Sequence, residues 1–240
     1  MKNLILCLCL FVSANTFAFP GKIIKGDSTI KTETRNATGY TKLSSSGLMN
    51  VTISYGSSNT ISIETDENIL PYLETTVSNN ELTIKVKDYA ILKPTNGIKV
   101  HVTMTKIESI KHSGSGNITG AGDFSNNSKT IFNLSGSGGI NLDFATMSSV
   151  DIKISGSSHV TLKGAINGLL NVSQHGSGSV DCESAPCESV EVNISGSSYT
   201  KVNVSKSITA HISGDGHVYY KGNPTTIDKK ISGSGSVSSI

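Results

Sequence analysis

From about residue 107 to the end of the chain, apolar and polar positions alternate strictly, and the alternation is interrupted at a regular interval by serine–glycine clusters. The interruptions read "LSGSG" at 134–138, "ISGSS" at 154–158 and 194–198, "ISGDG" at 212–216 and "ISGSG" at 231–235. With the first glycine of each cluster in register, the series is Gly114, Gly136, Gly156, Gly176, Gly196, Gly214 and Gly233. Two residues before these stand His112, Leu134, Ile154, Gln174, Ile194, Ile212 and Ile231. Four residues after stand Ile118, Ile140, Val160, Val180, Thr200, Val218 and Val237. Odd offsets carry mostly Ser, Thr, Asn, Asp and Lys. A period of two on both sides of the glycines places a strand before each cluster and another after it. A repeat of roughly 20 residues that cannot bury its apolar face alone must stack on its neighbours.

The pattern predicts an all-β, single-chain β-solenoid (parallel β-helix-like) with ~20-residue coils and Gly-Ser corners. Glycine supplies the backbone angles of a sharp corner. Stacked corners would align Ser115, Ser137, Ser157, Ser177, Ser197, Asp215 and Ser234, with hydroxyls able to bond one another or the backbone. Gln174 and His112 break an apolar column and need hydrogen bonds or a wet end of the core. The stretch "VSQHGSG" at 172–178 is a candidate bulge. Lys229 falls in an apolar column of the last coil, as a capping repeat allows.

Upstream, the alternation persists without the glycine corners. "VTISY" (51–55), "TISIE" (60–64), "ELTIKVK" (81–87) and "IKVHVTM" (98–104) read as strands. "NILPYLE" (68–74) reads as a connection or one helical turn. Residues 19–106 are therefore taken as the start of the solenoid or a β-rich cap on it, and 107–240 as the repeat solenoid.

The first eighteen residues differ in kind. "MKNLILCLCLFVSANTFA" has one Lys, an apolar run from Leu4 to Val12, and Thr16 and Ala18 at the −3 and −1 positions of a cleavage site before Phe19. Residues 1–18 read as a signal peptide, and their apolar run is too short to span a bilayer. Cys7 and Cys9 leave with it, and neither fits a lipoprotein site. The remainder reads as exported: periplasmic, cell-surface or secreted, with no transmembrane anchor.

Composition narrows the function. The chain has 240 residues, 24 Gly, no Trp, 16% charged residues and a formal net charge of +2. That balance gives no electrostatic reason to expect nucleic acid as partner. Two cysteines remain after the signal peptide, Cys182 and Cys187 in "DCESAPC". In an oxidising compartment a disulfide pinning a coil corner is the simplest reading. A metal site lacks a second Cys/His pair, and the spacing is not C-x-x-C.

Three sequence stretches carry a family resemblance: "TISIETDENILPYLETTVSNNELTIKV" (60–86), "IESIKHSGSGNITG" (107–120) and "SGSGGINL" (135–142). Together they resemble the "putative auto-transporter adhesin, head GIN domain" family over roughly residues 36–240. The resemblance implies an all-β solenoid, export, and surface or carbohydrate association. It names no catalytic residue and no cofactor.

Catalytic signals are sparse. The G-x-S-x-G elbow, P-loop, EF-hand and H-E-x-x-H motifs are absent. A polysaccharide hydrolase or lyase would need clustered carboxylates, and Asp143, Asp151, Asp181 and Glu183 are spread over different coils. Asp181 and Glu183 share one strand face, where a solvated surface is the plainer explanation. Asn-x-Ser/Thr triplets arise automatically from the alternation and read as outward polar ladders.

The candidate binding patch is outward. Tyr199 and His217 occupy the third position after the glycine in successive coils, and Lys201 and Tyr219 the fifth. Aromatics with a cation could stack on a glycan or dock an envelope protein; equally, cross-strand aromatic pairs stabilise sheets without a ligand. His159 stands two coils earlier in the same column. The expected function is a non-catalytic cell-envelope binding or structural module, with a carbohydrate-active enzyme as the alternative and homo-oligomer formation through open ends as a third possibility.

Overall fold

The computed structural model describes residues 21–240, so the expected signal peptide lies outside the described residues. The repeat region forms the long body of the molecule. Strands Gly139–Gly156, His159–Gly176, Ser179–Gly196 and Tyr199–Gly214 each run through a complete coil. Each pairs in parallel with the next, so that Ile154 stands beside Gln174, Gln174 beside Ile194 and Ile194 beside Ile212. The even-offset side chains point inward and merge into one continuous apolar core. This is the all-β solenoid that the alternation predicts.

The corner glycines are required twice over. Gly136, Gly156 and Gly196 have φ of 106°, 106° and 121°, a region closed to most L-residues. A Cβ there would also run into the carbonyl oxygen of the glycine one coil below. That carbonyl is already engaged: the corner Ser157, Ser177 and Ser197 donate their backbone N–H groups to Gly136, Gly156 and Gly176 at 2.8, 2.9 and 2.9 Å. The corner ladder is thus carried by main-chain amides rather than by the serine hydroxyls.

The register is unbroken through 172–178, so the anticipated bulge is absent there. Irregularities fall instead at the opposite side of the coil, between Asp143 and Thr146, Thr161 and Ile166, and Cys182 and Cys187. Coil lengths differ, and the extra or missing residues are absorbed where no glycine ladder fixes the path.

The N-terminal part holds a coil that the repeat spacing does not reveal. Lys42–Gly47 and Met49–Tyr55 pair in parallel with Ser109–Gly114 and Asn117–Ala121, which sets Gly47 (φ 102°) directly beneath Gly114. On their other side the same two strands pair with Glu81–Val86 and Ile98–Met104. The coil formed by 81–104 therefore lies outside the coil formed by 42–55, against the order of the sequence. Antiparallel strands then close this end. Leu73–Ser78 returns on Glu81–Val86 through Asn79 and Asn80, which both have positive φ, and Thr60–Asp66 covers Ile98–Met104 and is itself covered by Ile30–Asn36. Residues 68–74 contain a single 3-10 turn, Leu70–Tyr72. Arg35 clamps that turn, donating to the Leu70 and Leu73 carbonyls at 2.9 and 2.7 Å.

Among the described residues, the C-terminal end has no such cover. Thr226–Ser232 is the last strand on its side, and every residue of it is exposed, including Ile227 at 40% and Ile231 at 38%. Lys229, beside buried Ala210, sits in the inward column of this open layer.

Candidate binding surface

The four patch residues come together on one outward face. Cross-strand pairing sets Tyr199 beside His217 and Lys201 beside Tyr219. The His217 and Tyr219 rings stack at 6.1 Å with 27° between their planes. His217 is further fixed by a 2.9 Å hydrogen bond between its Nδ1 and Ser236 Oγ, and Asp215 Oδ1 lies 3.8 Å from its Nε2. Tyr199 is 44% exposed. The four side chains, with Ser197 and Ile240, line a shallow cavity of about 500 Å³.

Beneath the patch two sequence anomalies resolve each other. Gln174 and Thr200 both break apolar columns, and both are fully buried. The Thr200 hydroxyl donates to Gln174 Oε1 at 2.6 Å, while Gln174 Nε2 donates to the Tyr199 carbonyl at 3.3 Å. A buried amide with both ends engaged is satisfied rather than strained, and here it fixes the backbone that carries Tyr199. His112, the other column break, is buried as well, with its Nε2 2.7 Å from the Gly116 carbonyl oxygen.

His159 does not join the patch. It pairs with Gly139 and Ser179, and its ring fills the space over Gly139, on the side away from Tyr199. The carboxylates of the enzymatic alternative are also occupied. Glu183 is ion-paired with Lys221, whose hydrogen bond is the main reason that its carboxyl is held below the usual range. The Glu183 amide donates to Asp181 Oδ1 at 3.1 Å. A carboxyl stabilised as the anion is poorly suited to be a general acid. Among the described residues no group of three or more His, Cys, Asp or Glu side chains could hold a metal ion.

The expected Cys182–Cys187 bridge is corrected by the structure: both are free, buried thiols. Each takes its own inward place, Cys182 beside Val202 and Cys187 beside Val204, and the Cys187 thiol donates to the Asn203 carbonyl at 3.3 Å. Burial pushes the Cys187 thiol up to about 12 and the Cys182 thiol higher still, so both are inert as nucleophiles at neutral pH.

A second concave region went unnoticed in the sequence. It lies on the strands that precede the corners, lined by one serine in nearly every coil with Lys111, Lys153 and Lys230 beside them. The signal was present in the odd-offset columns, but serine and lysine at outward positions look like any solvated strand.

Residues 39–224 match the model of the family described as "Putative auto-transporter adhesin, head GIN domain". Among solved structures, a "putative adhesin" from Bacteroides fragilis superposes with a TM-score of 0.81 at 18% identity, covering 90% of this chain and all of that one. A "putative lipid binding protein" from Parabacteroides distasonis gives 0.70 at 24% identity, covering 91% of this chain and all of that one. A "putative adhesin" from Parabacteroides merdae gives 0.68 at 19% identity, covering 91% and 99%. These likenesses establish the fold. No curated protein matches the chain.

Proposed function

Because the chain belongs to the head GIN domain family, we propose that it is an exported, non-catalytic, adhesin-like module of the cell envelope that holds a glycan on the Tyr199, Lys201, His217 and Tyr219 surface. The single observation carrying this reading is the convergence of two tyrosines, a stacked histidine and a lysine around one cavity of about 500 Å³. Flat aromatic faces cover the apolar face of a sugar ring, while the lysine and hydroxyls serve its polar edge. The buried Gln174–Thr200 pair pre-orders the Tyr199 backbone, which lowers the ordering cost of binding. Export is supported by the signal-peptide pattern of residues 1–18. Among the described residues no helix is long and apolar enough to cross a membrane.

A glycan array probed with the mature chain tests the reading. Specific binding that disappears in Tyr199→Ala/Tyr219→Ala supports it. Absence of binding, or binding indifferent to both substitutions, overturns it. Asp181→Asn and Glu183→Gln should leave binding unchanged, and any glycan turnover abolished by them would instead favour the polysaccharide hydrolase or lyase alternative.

A further inference from the structure

We propose a second ligand site, on the face that precedes the glycine corners: a lengthwise groove that takes a linear acidic polysaccharide with widely spaced charges. The site lies across the corner from the tyrosine surface and does not depend on it.

Two concavities of about 350 and 360 Å³ run along this face and meet at His175, which lines both. Their combined lining contains three lysines and three histidines but no aspartate or glutamate. In the column next to the corner glycine every coil from Ser113 to Ser232 presents a serine, His175 excepted, and all are exposed. Two residues upstream, Lys111, Lys153 and Lys230 occupy one continuous column of paired positions. Lys111 is tied to Glu81 at 2.8 Å. Among the described residues, neither Lys153 nor Lys230 has a carboxylate within ion-pair distance, whereas Lys163, Lys206 and Lys221 on other faces are each paired.

The spacing chooses the ligand. Coils repeat about every 4.8 Å, so Lys111 and Lys153 stand about 10 Å apart along the axis, and Lys230 about 19 Å beyond Lys153. Duplex DNA carries a charge about every 1.7 Å, and a single strand about every 3.4 Å, far denser than this column can neutralise. No tyrosine, phenylalanine or tryptophan lines either concavity to stack a base. One cation per two or more coils, with a hydroxyl per coil between them, fits a chain whose own hydroxyls are frequent and whose acidic groups are sparse. The serines exchange hydrogen bonds with sugar hydroxyls, and the lysines meet the carboxylates or sulfates.

The test is calorimetric titration of the mature chain with hyaluronan (one carboxylate per disaccharide), with heparin, neutral dextran and single-stranded DNA as comparators. Expected are hyaluronan binding that weakens with salt and no binding of dextran. Lys153→Glu/Lys230→Glu should cost about tenfold or more in affinity, as reversal of facing charges does. Lys163→Glu, on another face, and Tyr199→Ala/Tyr219→Ala should bind as the unaltered protein does. The proposal is overturned if hyaluronan is not bound, if the Lys153/Lys230 variant binds it undiminished, or if heparin and DNA bind more tightly than hyaluronan, which marks simple cation exchange. Loss of hyaluronan binding in the tyrosine variant alone also overturns it, and assigns the ligand to the surface of the proposed function.

Discussion

The two ends of the solenoid meet the same physical problem and treat it differently. A parallel stack leaves unpaired N–H and C=O groups and half-covered apolar side chains at each end. At the N-terminal end three antiparallel strands fold back over the last parallel layer, and the layer beneath is closed: Leu82, Ile84, Val100 and Val102 are all buried. The chain even leaves sequence order to build this end, routing residues 81–104 outside 42–55. At the C-terminal end nothing is added among the described residues. The last strand stands open, and its defence is chemical, a lysine in the column where the coils below have Ala210, Val192 and Val172. Covering an end permits large aliphatic side chains there. Leaving it open calls for a charge that makes further stacking unfavourable.

The sharpest way to expose this contrast uses one column. Ile194 and Ile231 occupy equivalent inward positions, but Ile194 is 3% exposed and Ile231 38%. Ile194→Ala should lower stability by about 2–5 kcal/mol, as buried truncations do, measured by urea unfolding. Ile231→Ala should cost less than about 1 kcal/mol. Equal losses would mean that the last coil is covered in solution.

Acid should loosen the N-terminal half first. Asp66 accepts from the Ser28 and Thr95 amides at 2.9 and 2.8 Å and from the Thr95 hydroxyl at 2.7 Å. The Thr95 hydroxyl does most to hold its carboxyl below the ordinary value of 3.8. A depressed carboxyl contributes stability above its unfolded value, lost as the pH falls through the folded one. His112, beside Ser45 in the first stacked coils, acts earlier: burial holds its ring below the ordinary 6.5. The unfolded chain then takes up the proton first, so stability falls once the pH drops below 6.5. Hydrogen exchange between pH 7 and 5 should show protection declining around residues 43–46 and 110–114 before it declines in 226–232's neighbours, and His112→Leu should abolish that decline. A pH-independent pattern in the unaltered chain would contradict it.

A smaller effect is expected from Lys229→Ile. It completes the apolar column and removes the charge from the open edge, so sedimentation velocity should show more self-association than the unaltered chain at equal concentration. An unchanged distribution would mean that some other feature blocks that end.

The body of the solenoid was legible because its glycines recur at nearly constant spacing and its inward columns are apolar. The coil at 42–55 was not, since Gly47 stands 67 positions before Gly114 with an inserted coil and cap between them, and "SSSGLMN" has Leu48 where every other corner has Ser or Asp after its glycine. The irregular connections were invisible because bulges answer to coil length, not to a residue type. At the tyrosine surface, register alone brought Tyr199, Lys201, His217 and Tyr219 together. The hydrogen bond from Thr200 to Gln174 was not legible: Gln174 stood out as polar in an apolar column but Thr200 did not, and pairing them needs the depth of the core, which a one-dimensional pattern lacks. The free cysteines illustrate the converse: proximity in sequence and a plausible compartment do not turn two inward, separately packed thiols toward each other.

The displaced coil also sets a timetable for assembly. Residues 42–55 emerge early, yet they are an inner layer that gains its neighbours only when 81–104 has closed one side and 109–121 has arrived on the other. The seed of the stack therefore grows in both directions, backwards once and then forwards coil by coil. Its rate-limiting event is expected to be the long loop closure that joins 42–55 to 109–121, because non-local contacts must be reached before they reward the chain. After that closure each new coil needs only its predecessor as template, so a chain arriving end-first in a new compartment would complete itself like a zipper from a single early clasp.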